Sequence, residues 1–306
     1  MVRVGIIGMS EGNGHPISFS AIINGFNEIE LRKMGWNVIH DYMSERDPAD
    51  VGLNGISVTH AWTQDEELTK QMSKACYIEN IVKQPEDMIG HVDAVIIARD
   101  DYNTHVELSK PFLHAGLPVF IDKPLSLCPE EINFFKPYLA SGQLMSCSAM
   151  RYARELDTVK RNISQYGDIK LIRGTVVNGW DKYGIHILDA IYPLLRSKCI
   201  AVTRIPANHT SIAIEMENGS AVQIDALGEI PKTFSIEIFG SKLRSSHEIS
   251  DNFTMFRRML WHFFNSIDKK RNAIPDVDTL TIMRILYAGH IAQQGSGRIV
   301  LDELGF

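Results

Sequence analysis

The chain has 306 residues, of which 44% are hydrophobic and 22% charged, and its formal net charge is -6. This length exceeds the usual size of a single domain, so we expect two domains of a globular protein. The mild acidity and the lack of a basic run argue against nucleic acid as a main partner.

The chain begins with a strand, a glycine loop and a helix, in that order. Residues 2–7 form a β-rich apolar run, and apolar residues at helical spacing follow over residues 17–26, with Pro16 near the first turn. This order is typical of the opening of a dinucleotide-binding βαβ unit. The apolar run is too short for a signal peptide or a membrane span, so we expect a cytoplasmic protein without a membrane partner.

The glycine spacing in the loop that starts at Gly8 is irregular. A GxGxxG motif would place glycines where the chain has Ser10 and Asn13, whereas Gly12 and Gly14 lie out of register. A loop this rich in glycine can still present backbone N–H groups at a helix N-terminus and hold a pyrophosphate there. A plain tight turn is the alternative interpretation.

Strands and helices continue to alternate up to residue 121. We predict strands over residues 56–59, 93–98 and 118–121 and helices over residues 65–74 and 104–114. Near-continuous apolar strands separated by helices predict a doubly wound parallel sheet covered on both faces. The second strand is formed either by residues 56–59 or by residues 38–41. With residues 56–59 as the strand, residues 28–55 are a long insertion before it. We prefer residues 56–59, because this choice leaves the next helix and strand at ordinary spacing.

Lys123 stands at the exit of the strand predicted over residues 118–121 and is followed by Pro124. The carboxyl ends of strands in open α/β sheets face the ligand crevice, so this lysine is placed to meet a substrate. The proline restrains the backbone of Lys123 and allows a cis peptide bond. On these residues alone, an ordinary polar turn is the alternative.

The pattern changes after Pro124. We predict a helix over residues 129–139, a strand over 144–150, strands over 171–177, 200–205, 211–217, 221–227 and 234–239, and helices over 157–166, 185–195, 253–267 and 279–292. The pair Asn218-Gly219 is a strong hairpin signal between two of these strands. An α+β domain with an open, mainly antiparallel sheet is therefore expected over residues 126–306, after a Rossmann domain over residues 1–125. The 4 cysteines lack CxxC spacing, which predicts reduced thiols and neither disulfides nor a metal site.

Along nearly the whole chain these residues resemble the Gfo/Idh/MocA oxidoreductases, the glucose-fructose oxidoreductase and inositol dehydrogenase family. The matching segments, in family order, are VGIIG at residues 4–8, DAVIIA at 93–98 leading to NTH at 103–105, DKP at 122–124, GIHILD at 184–189 and IEIFG at 236–240. The resemblance implies NAD or NADP bound by the Rossmann domain, and a second domain for substrate binding and oligomerisation. It further implies hydride transfer at a hydroxyl-bearing carbon of a sugar, cyclitol or nucleotide sugar in carbohydrate metabolism, by a homodimer or homotetramer.

Hydride transfer needs a group that moves the hydroxyl proton and a group that stabilises the oxyanion at the same oxygen. The resemblance implies Lys123 and His186 for these roles. Asp189 lies three residues later on the same helical face, where it could orient the imidazole or contact substrate. Many family members carry an aspartate four residues before this histidine, but this chain has Lys182 there. Tyr183 could replace it as proton donor, and ring packing is its alternative role.

Asp181 and Asp122 also differ from the family pattern. Asp181 carries a carboxylate one position before Lys182, and Asp122 replaces the more usual glutamate before Lys123.

The expected substrate-binding residues are Arg151, Tyr152 and Lys182. Arg151 and Tyr152 begin the second domain near the crevice. A structural salt bridge is the alternative role for Arg151.

At the cofactor end, the segment 60–63 occupies the place where NAD-binding members carry a ribose-binding carboxylate. This segment has neither that carboxylate nor an arginine that could bind the 2'-phosphate of NADP, so the sequence does not distinguish NAD from NADP. Asp65, or Asp41 under the alternative strand choice, could bind the ribose. The expected cofactor-binding residues are Gly8, Ser10, Gly12, Asn13, His60, Trp62, Arg99, Asn103, His105, Asp122 and Lys123. The loop 99–103 could instead be a solvated charged turn.

Three functions remain open at this point. The first is an NAD(P)-dependent oxidoreductase that acts on CH–OH groups of a sugar-like substrate. The second is a catalytically altered family member that binds a ligand or regulates, because the glycine pattern is broken and Lys182 replaces the aspartate. The third is a lyase or hydrolase that uses bound NAD transiently.

Overall fold

The computed structural model describes residues 1–295 and 297–306. In chain order, the strands are β1 (Val2–Ile7), β2 (Ile56–Trp62), β3 (Asn80–Ile81), β4 (Ala94–Ile97), β5 (Val119–Ile121), β6 (Leu144–Ser146), β7 (Ile169–Val176), β8 (Cys199–Ile205), β9 (Thr210–Met216), β10 (Ala221–Ala226), β11 (Phe234–Gly240), β12 (Arg244–Glu248) and β13 (Arg298–Val300). The helices are α1 (His15–Asn24), α2 (Glu28–Lys33), α3 (Asn37–Ser44), α4 (Glu66–Ala75), α5 (His105–His114), α6 (Pro129–Ser141), α7 (Asp157–Asn162), α8 (Ile185–Ile191), α9 (Asn252–Lys269) and α10 (Asp276–Gln293).

The chain divides into two compact units. The first contains Met1–Leu125, Phe134–Ser146 and Asn252–Asp276, and the second contains Ser126–Asn133, Cys147–Asp251 and Val277–Phe306. The first unit therefore extends past the predicted boundary at residue 125. It does so because β6 pairs with β5 and because α9 packs on α1.

The first unit is built on a parallel sheet with the strand order β3-β2-β1-β4-β5-β6. Val4, Ile6 and Ile7 of β1 and all of β4 are fully buried, as expected for strands covered on both faces. The predicted second strand at residues 56–59 is confirmed as part of β2. The competing choice at residues 38–41 is wrong, because these residues lie in α3.

The insertion before β2 supports the glycine loop. It contains α2 and α3, and a side chain placed at Gly14 would lie 2.7 Å from Cε3 of Trp36 and 2.6 Å from Cδ1 of Ile39. Gly14 therefore allows α3 and the residue before it to pack directly on the loop.

The second unit contains a mixed sheet with the strand order β12-β11-β7-β10-β9-β8-β13, in which β7 and β10 are parallel and the other pairs antiparallel. The predicted hairpin joins β9 to β10, and Gly219 at its turn has a φ of 79°. Ile172, Ile224 and Ile236 face the core, and α8 packs on this face. The α/β fold class predicted from the sequence is thus confirmed.

The sequence prediction missed β3, β12 and β13, and it extended β6 too far. β12 has the sequence RSSHE, which carries no apolar alternation. Residues 149–150, predicted as the end of that strand, belong to the 3-10 turn Ala149–Tyr152. In the described residues, 1–295 and 297–306, no helix is long and apolar enough to cross a membrane.

Candidate active site

The loop between β1 and α1 uses its glycines differently from a GxGxxG motif. A side chain at Gly8 would collide with the ring of Pro16. Gly12 has a φ of +73° and open space within 4 Å of the position of a Cβ atom. The loop therefore packs tightly against the start of α1 at Gly8 and leaves free space at Gly12.

Ser10 and Asn13, two predicted cofactor residues, bind protein groups through their side chains. The Ser10 hydroxyl donates to Oδ1 of Asp100 at 2.6 Å. The Asn13 amide donates to the carbonyl oxygen of Ala98 at 3.4 Å and to Oδ2 of Asp122 at 3.2 Å. Because both side chains are buried, they fix the loop on the ends of β4 and β5. What this part of the loop can offer a ligand is its backbone.

Lys123 lies directly after β5 in a buried cluster of charged groups. Its side chain is 5% exposed, and Nζ lies 3.4 Å from Oδ2 of Asp100, which is buried to the same extent. The Lys123 N–H donates to Oδ1 of Asp122 at 2.9 Å, and the peptide bond to Pro124 is cis. A buried charge is retained only where it is paired and hydrogen-bonded. The contact with Asp100 therefore holds the Lys123 side chain in a defined place.

His15, the first residue of α1, belongs to the same cluster and was missed from the sequence. Its Nδ1 lies 2.5 Å from Oδ2 of Asp122, and its ring centroid lies 5.1 Å from those of Phe19 and Phe256. Burial raises the pKa of Asp122, but His15 and Lys123 together lower it more, so the pKa lies below its usual range. Asp122 is therefore ionised at neutral pH. The one signal in the sequence was a histidine at the junction of glycine loop and helix.

The end of β2 differs from the place expected for a ribose site. His60 lies two residues before the strand ends, where burial and the nearby His91 lower its pKa. Trp62 donates from Nε1 to the carbonyl oxygen of Lys83 at 3.2 Å. Asp65 is the N-cap of α4 and accepts two N–H groups of its first turn. The only candidate carboxylate after β2 is thus already engaged in capping, within the described part of the chain.

Gln64 is a second residue that sequence reasoning missed. Its Oε1 accepts from the Met9 N–H at 2.9 Å and from Nη1 of Arg99 at 3.1 Å. Arg99 also binds the carboxylate of Asp101 through Nε at 2.9 Å. Gln64 thereby joins the loops that follow β1, β2 and β4. A single glutamine before a helix cap belongs to no motif, so nothing in the sequence indicated this role.

His105, predicted to bind the cofactor, is fully buried at the start of α5. Its Nδ1 lies 2.9 Å from the carbonyl oxygen of Leu125, and its Nε2 lies 2.9 Å from that of Arg99. Burial lowers the pKa of His105. Because the ring is 0% exposed, it joins two loops and does not offer a surface to a cofactor. Asn103 is exposed in the turn Tyr102–Thr104, and its cofactor contact stays a prediction.

In the second unit, His186 lies on α8 with its ring held by neighbours. Its Nδ1 lies 2.7 Å from the hydroxyl of Ser148. The ring centroids of Tyr183 and Phe234 lie 5.4 Å and 5.7 Å from that of His186. Tyr183 therefore packs beside the imidazole, and its role as a proton donor stays a prediction.

Asp189 is buried on α8 and acts on the segment that follows β6. Its Oδ2 accepts from the Ser148 N–H at 2.7 Å, and its Oδ1 lies 3.6 Å from Nη1 of Arg151. Burial raises the pKa of Asp189 to about 6, against the opposing effect of Arg151. A side chain that is 3% exposed and engaged in this way is not placed to contact substrate. Its effect on His186 runs through Ser148.

Arg151 forms the structural salt bridge that was the alternative to substrate binding. Its Nη2 donates to Oδ2 of Asp278 at 2.6 Å, and its side chain is 10% exposed. Two carboxylates, those of Asp189 and Asp278, thus match its charge. Burial raises the pKa of the neighbouring Tyr152 well above its usual value, so this phenol is neutral.

Asp181 does not replace the aspartate that is missing before the histidine. Its Oδ2 binds Nδ1 of His290 at 2.8 Å, and its Oδ1 accepts from Nε2 of Gln293 at 2.9 Å. Lys182 is exposed next to it. Asp181 therefore connects its turn to α10, and the imidazole on α8 has the Ser148 hydroxyl at Nδ1 instead.

The first unit fits the phosphate half of a dinucleotide at the N-terminus of α1. This helix has 10 residues and no acidic residue in its first turn. The open space at Gly12 gives an anion access to the loop backbone, and a helix N-terminus attracts anions. The ribose end fits less well, because Asp65 caps α4. These residues therefore do not distinguish NAD from NADP.

Comparison with known proteins places this geometry in a family. Residues 2–145 match the Gfo/Idh/MocA family model, described as an oxidoreductase family with an NAD-binding Rossmann fold. No curated protein matches the chain.

Solved structures share the fold over the full chain. Scyllo-inositol dehydrogenase from Lactobacillus casei, with bound NAD(H) and scyllo-inositol, has 18% identity and a TM-score of 0.78, over 99% of this chain and 100% of that chain. Myo-inositol 2-dehydrogenase from Lactobacillus plantarum has 15% identity and a TM-score of 0.77, over 98% and 99%. Myo-inositol dehydrogenase from Corynebacterium glutamicum has 13% identity and a TM-score of 0.76, over 98% and 99%.

At these identities the solved structures show a shared fold and nothing finer. The family match is more specific, because it spans the glycine loop, the buried Lys123 and β6. Residues 2–145, the Rossmann part of the chain, are thus those of a Gfo/Idh/MocA-type NAD-binding oxidoreductase domain.

Proposed function

We propose that the protein transfers hydride to or from a hydroxyl-bearing carbon of a sugar, cyclitol or nucleotide sugar, with NAD or NADP as cofactor. The observation that carries the proposal is Lys123, a charged side chain buried at the carboxyl end of β5. Burial of an ammonium group is unfavourable, and a turn that served structure alone would not need a charged side chain there. Asp100 pairs with the ammonium group of this lysine, and Asp122 accepts from its backbone N–H.

The ion pair with Asp100 supports a defined part in the chemistry. NAD(P), when bound, supplies or accepts the hydride. In the direction of carbonyl reduction, the Lys123 ammonium gives a proton to the carbonyl oxygen and becomes a neutral amine. In the direction of alcohol oxidation, the neutral amine takes the hydroxyl proton back. We assign His186 a hydrogen bond to the same oxygen, the stabilising role that hydride transfer requires.

We further propose that the N-terminus of α1 holds the cofactor pyrophosphate through backbone N–H groups, with Gly12 open to it. The substrate class is supported by the family and by the inositol dehydrogenases among the structures of the same fold. We also propose a homodimer or homotetramer, as the family resemblance implies. Arg173, Gln223 and Glu237 alternate with the buried isoleucines and so line the face of the second sheet that would be available for subunit contacts.

A pair of matched variants at Gly12 tests cofactor binding at this loop. Asn and Asp both tolerate a positive φ, and their side chains have nearly the same size, so Gly12→Asn and Gly12→Asp differ mainly in charge. A carboxylate beside a pyrophosphate costs on the order of 1 kcal/mol, so Gly12→Asp should weaken NADH binding about tenfold relative to Gly12→Asn. Fluorescence titration with NADH and with NADPH measures both affinities and identifies the preferred cofactor.

The same preparation is then assayed with NAD and NADP against scyllo-inositol, myo-inositol, free sugars and nucleotide sugars. Reduction of the cofactor by a member of this panel supports the proposal. Absence of binding for both NADH and NADPH would contradict it and favour a ligand-binding protein. Binding of NADH with substrate turnover but no net cofactor reduction would favour the lyase or hydrolase.

A further inference from the structure

We propose that Ser148 fixes the tautomer of His186 and makes this histidine a hydrogen-bond donor to the substrate oxygen. The catalytic part of this inference rests on the proposed function, whereas the tautomer is a property of the protein alone. Ser148 is a positioning residue, since its hydroxyl touches the imidazole and is itself 1% exposed.

The hydrogen bonds of Ser148 determine which way its hydroxyl points. Oγ has two hydrogen-bond neighbours in the described residues, the Met150 N–H at 3.2 Å and Nδ1 of His186 at 2.7 Å. The Met150 amide can only donate, so Oγ accepts from it. Oγ could also accept a hydrogen from Nδ1, but the hydroxyl's own hydrogen would then have no acceptor in the described residues, and buried donors are paired in the great majority of cases. We therefore take Nδ1 of His186 as the acceptor of that hydrogen. A neutral imidazole that accepts at Nδ1 carries its hydrogen on Nε2.

The main chain of Ser148 is fixed as firmly as its hydroxyl. Its N–H donates to Oδ2 of Asp189 at 2.7 Å, and Asp189 lies on the same helix as His186. Arg151 and Asp278 continue this network on the far side of Asp189. Ser148 is therefore attached to α8 twice, once through Asp189 and once through the imidazole. Displacement of Ser148 away from α8 would break contacts at both points.

A hydroxyl partner has the opposite effect from a carboxylate partner. A carboxylate can only accept, so it places the imidazole hydrogen on the nitrogen that faces it. Ser148 donates, and thus places the hydrogen on the opposite nitrogen, Nε2. This chain has Lys182 where many family members have an aspartate, and the side chain that meets Nδ1 is Ser148.

The proton balance follows from this tautomer. With hydrogen on Nε2, His186 donates to the carbonyl oxygen and keeps its own hydrogen throughout the reaction. During reduction, a bound reduced nicotinamide would supply the hydride of the new C–H bond, and the Lys123 ammonium would supply the proton of the new O–H bond. Lys123 ends as a neutral amine and regains a proton from water. In this scheme, Lys123 alone transfers the proton.

The tautomer can be measured without any turnover. In protein labelled with 15N-histidine, a ring nitrogen that carries hydrogen and one that does not give well-separated NMR signals. The signals of His186 are identified by their loss in His186→Gln. We expect the wild-type protein to carry hydrogen on Nε2. Ser148→Ala should move His186 to a mixture of tautomers, and Ser148→Thr, which retains the hydroxyl, should preserve the wild-type pattern.

Ser211→Ala is the matched control, because Ser211 is also 1% exposed and lies in the second unit, on β9. In turnover assays, Ser148→Ala should lower kcat about tenfold, as expected for one lost hydrogen bond. Ser148→Thr should recover most of that loss, and Ser211→Ala should show none.

Two results would overturn the inference: hydrogen on Nδ1 of His186 in the wild-type protein, or an unchanged tautomer in Ser148→Ala. A changed tautomer with unchanged kcat would refute its catalytic part. If the protein reduces no cofactor with any substrate, the proposed function fails while the tautomer result still stands. Should Ser148→Ala not fold, the wild-type spectrum alone decides the assignment.

Discussion

Replacement of Lys123 by methionine separates the catalytic role of this lysine from its structural role. Methionine has nearly the same length and no charge, so the change removes the ammonium and leaves the packing. It also leaves the carboxylate of Asp100 buried and without the ion pair at 3.4 Å. The matched rescue is the double variant Lys123→Met with Asp100→Asn, because asparagine removes the unmatched charge and can still accept from Ser10.

The burial of the Lys123–Asp100 ion pair determines how much stability each variant should lose. Loss of one partner from a buried ion pair costs about 3 kcal/mol, because the other charge stays buried. Removal of both charges is close to neutral, so the double variant should recover wild-type stability to within about 1 kcal/mol. Loss of a general acid or base lowers turnover by roughly 10²- to 10⁴-fold, and restored stability cannot compensate for it. Both variants should therefore be inactive, while only the single variant is unstable.

Urea unfolding measures the stability of each protein, and steady-state assays at saturating cofactor measure kcat. Lys110→Met serves as the control, because Lys110 is an exposed lysine of the first unit. Recovery of turnover in the double variant would refute the reasoning, since it would show that Lys123 serves stability alone. Wild-type stability in the single variant would refute the energetic part.

Three further predictions concern other parts of the molecule. The pKa of Asp189 is raised from 3.8 to about 6, so the native state binds this proton more tightly than the unfolded state does. The free energy of unfolding should therefore decrease by about 3 kcal/mol as the pH rises from 3.8 to about 6. Asp189→Asn should lack this decrease in urea unfolding at a series of pH values, and parallel curves for both proteins would contradict the assignment. Gly14→Ala should destabilise the protein by about 1–3 kcal/mol and weaken NADH binding, because its Cβ would lie 2.7 Å from a ring atom of Trp36; unaltered melting and affinity would show that the insertion does not support the loop. His105→Phe should lower stability by about 1–3 kcal/mol, because the neutral imidazole donates to one of the carbonyl oxygens of Leu125 and Arg99 and the phenyl ring cannot. Hydrogen exchange should increase in the loops after β4 and β5, and unchanged exchange there would rule out the bridging role.

All strands of the first sheet except β3 could be predicted, because runs of apolar residues in the sequence indicate that they are buried. Continuous apolar runs such as β4, set between amphipathic helices, indicate parallel strands covered on both faces. The position of Lys123 at the end of β5 followed directly from that sheet. By contrast, β12 is short, polar and at a sheet edge, so no periodic apolar pattern marked it.

The unit to which a helix belongs could not be predicted in the same way. The sequence of α9 shows one apolar face, which predicts a helix with a buried side. Nothing in that pattern says which sheet lies opposite, and α9 belongs to the first unit although it follows the second sheet in the chain. Apolar burial is not directional, so only the folded chain decides the partner.

The amino-acid sequence by itself determined the fold class, the family resemblance of residues 2–145 and the place of Lys123 and His186 in the elements. Tertiary structure decided what these side chains contact: Asp100 beside Lys123, 23 residues away, and Ser148 beside His186, 38 residues away. It also assigned Asp65, His105 and Asp181 to capping and bridging. Local sequence patterns report the periodicity of burial, whereas hydrogen bonds and ion pairs depend on which distant segments meet when the chain closes.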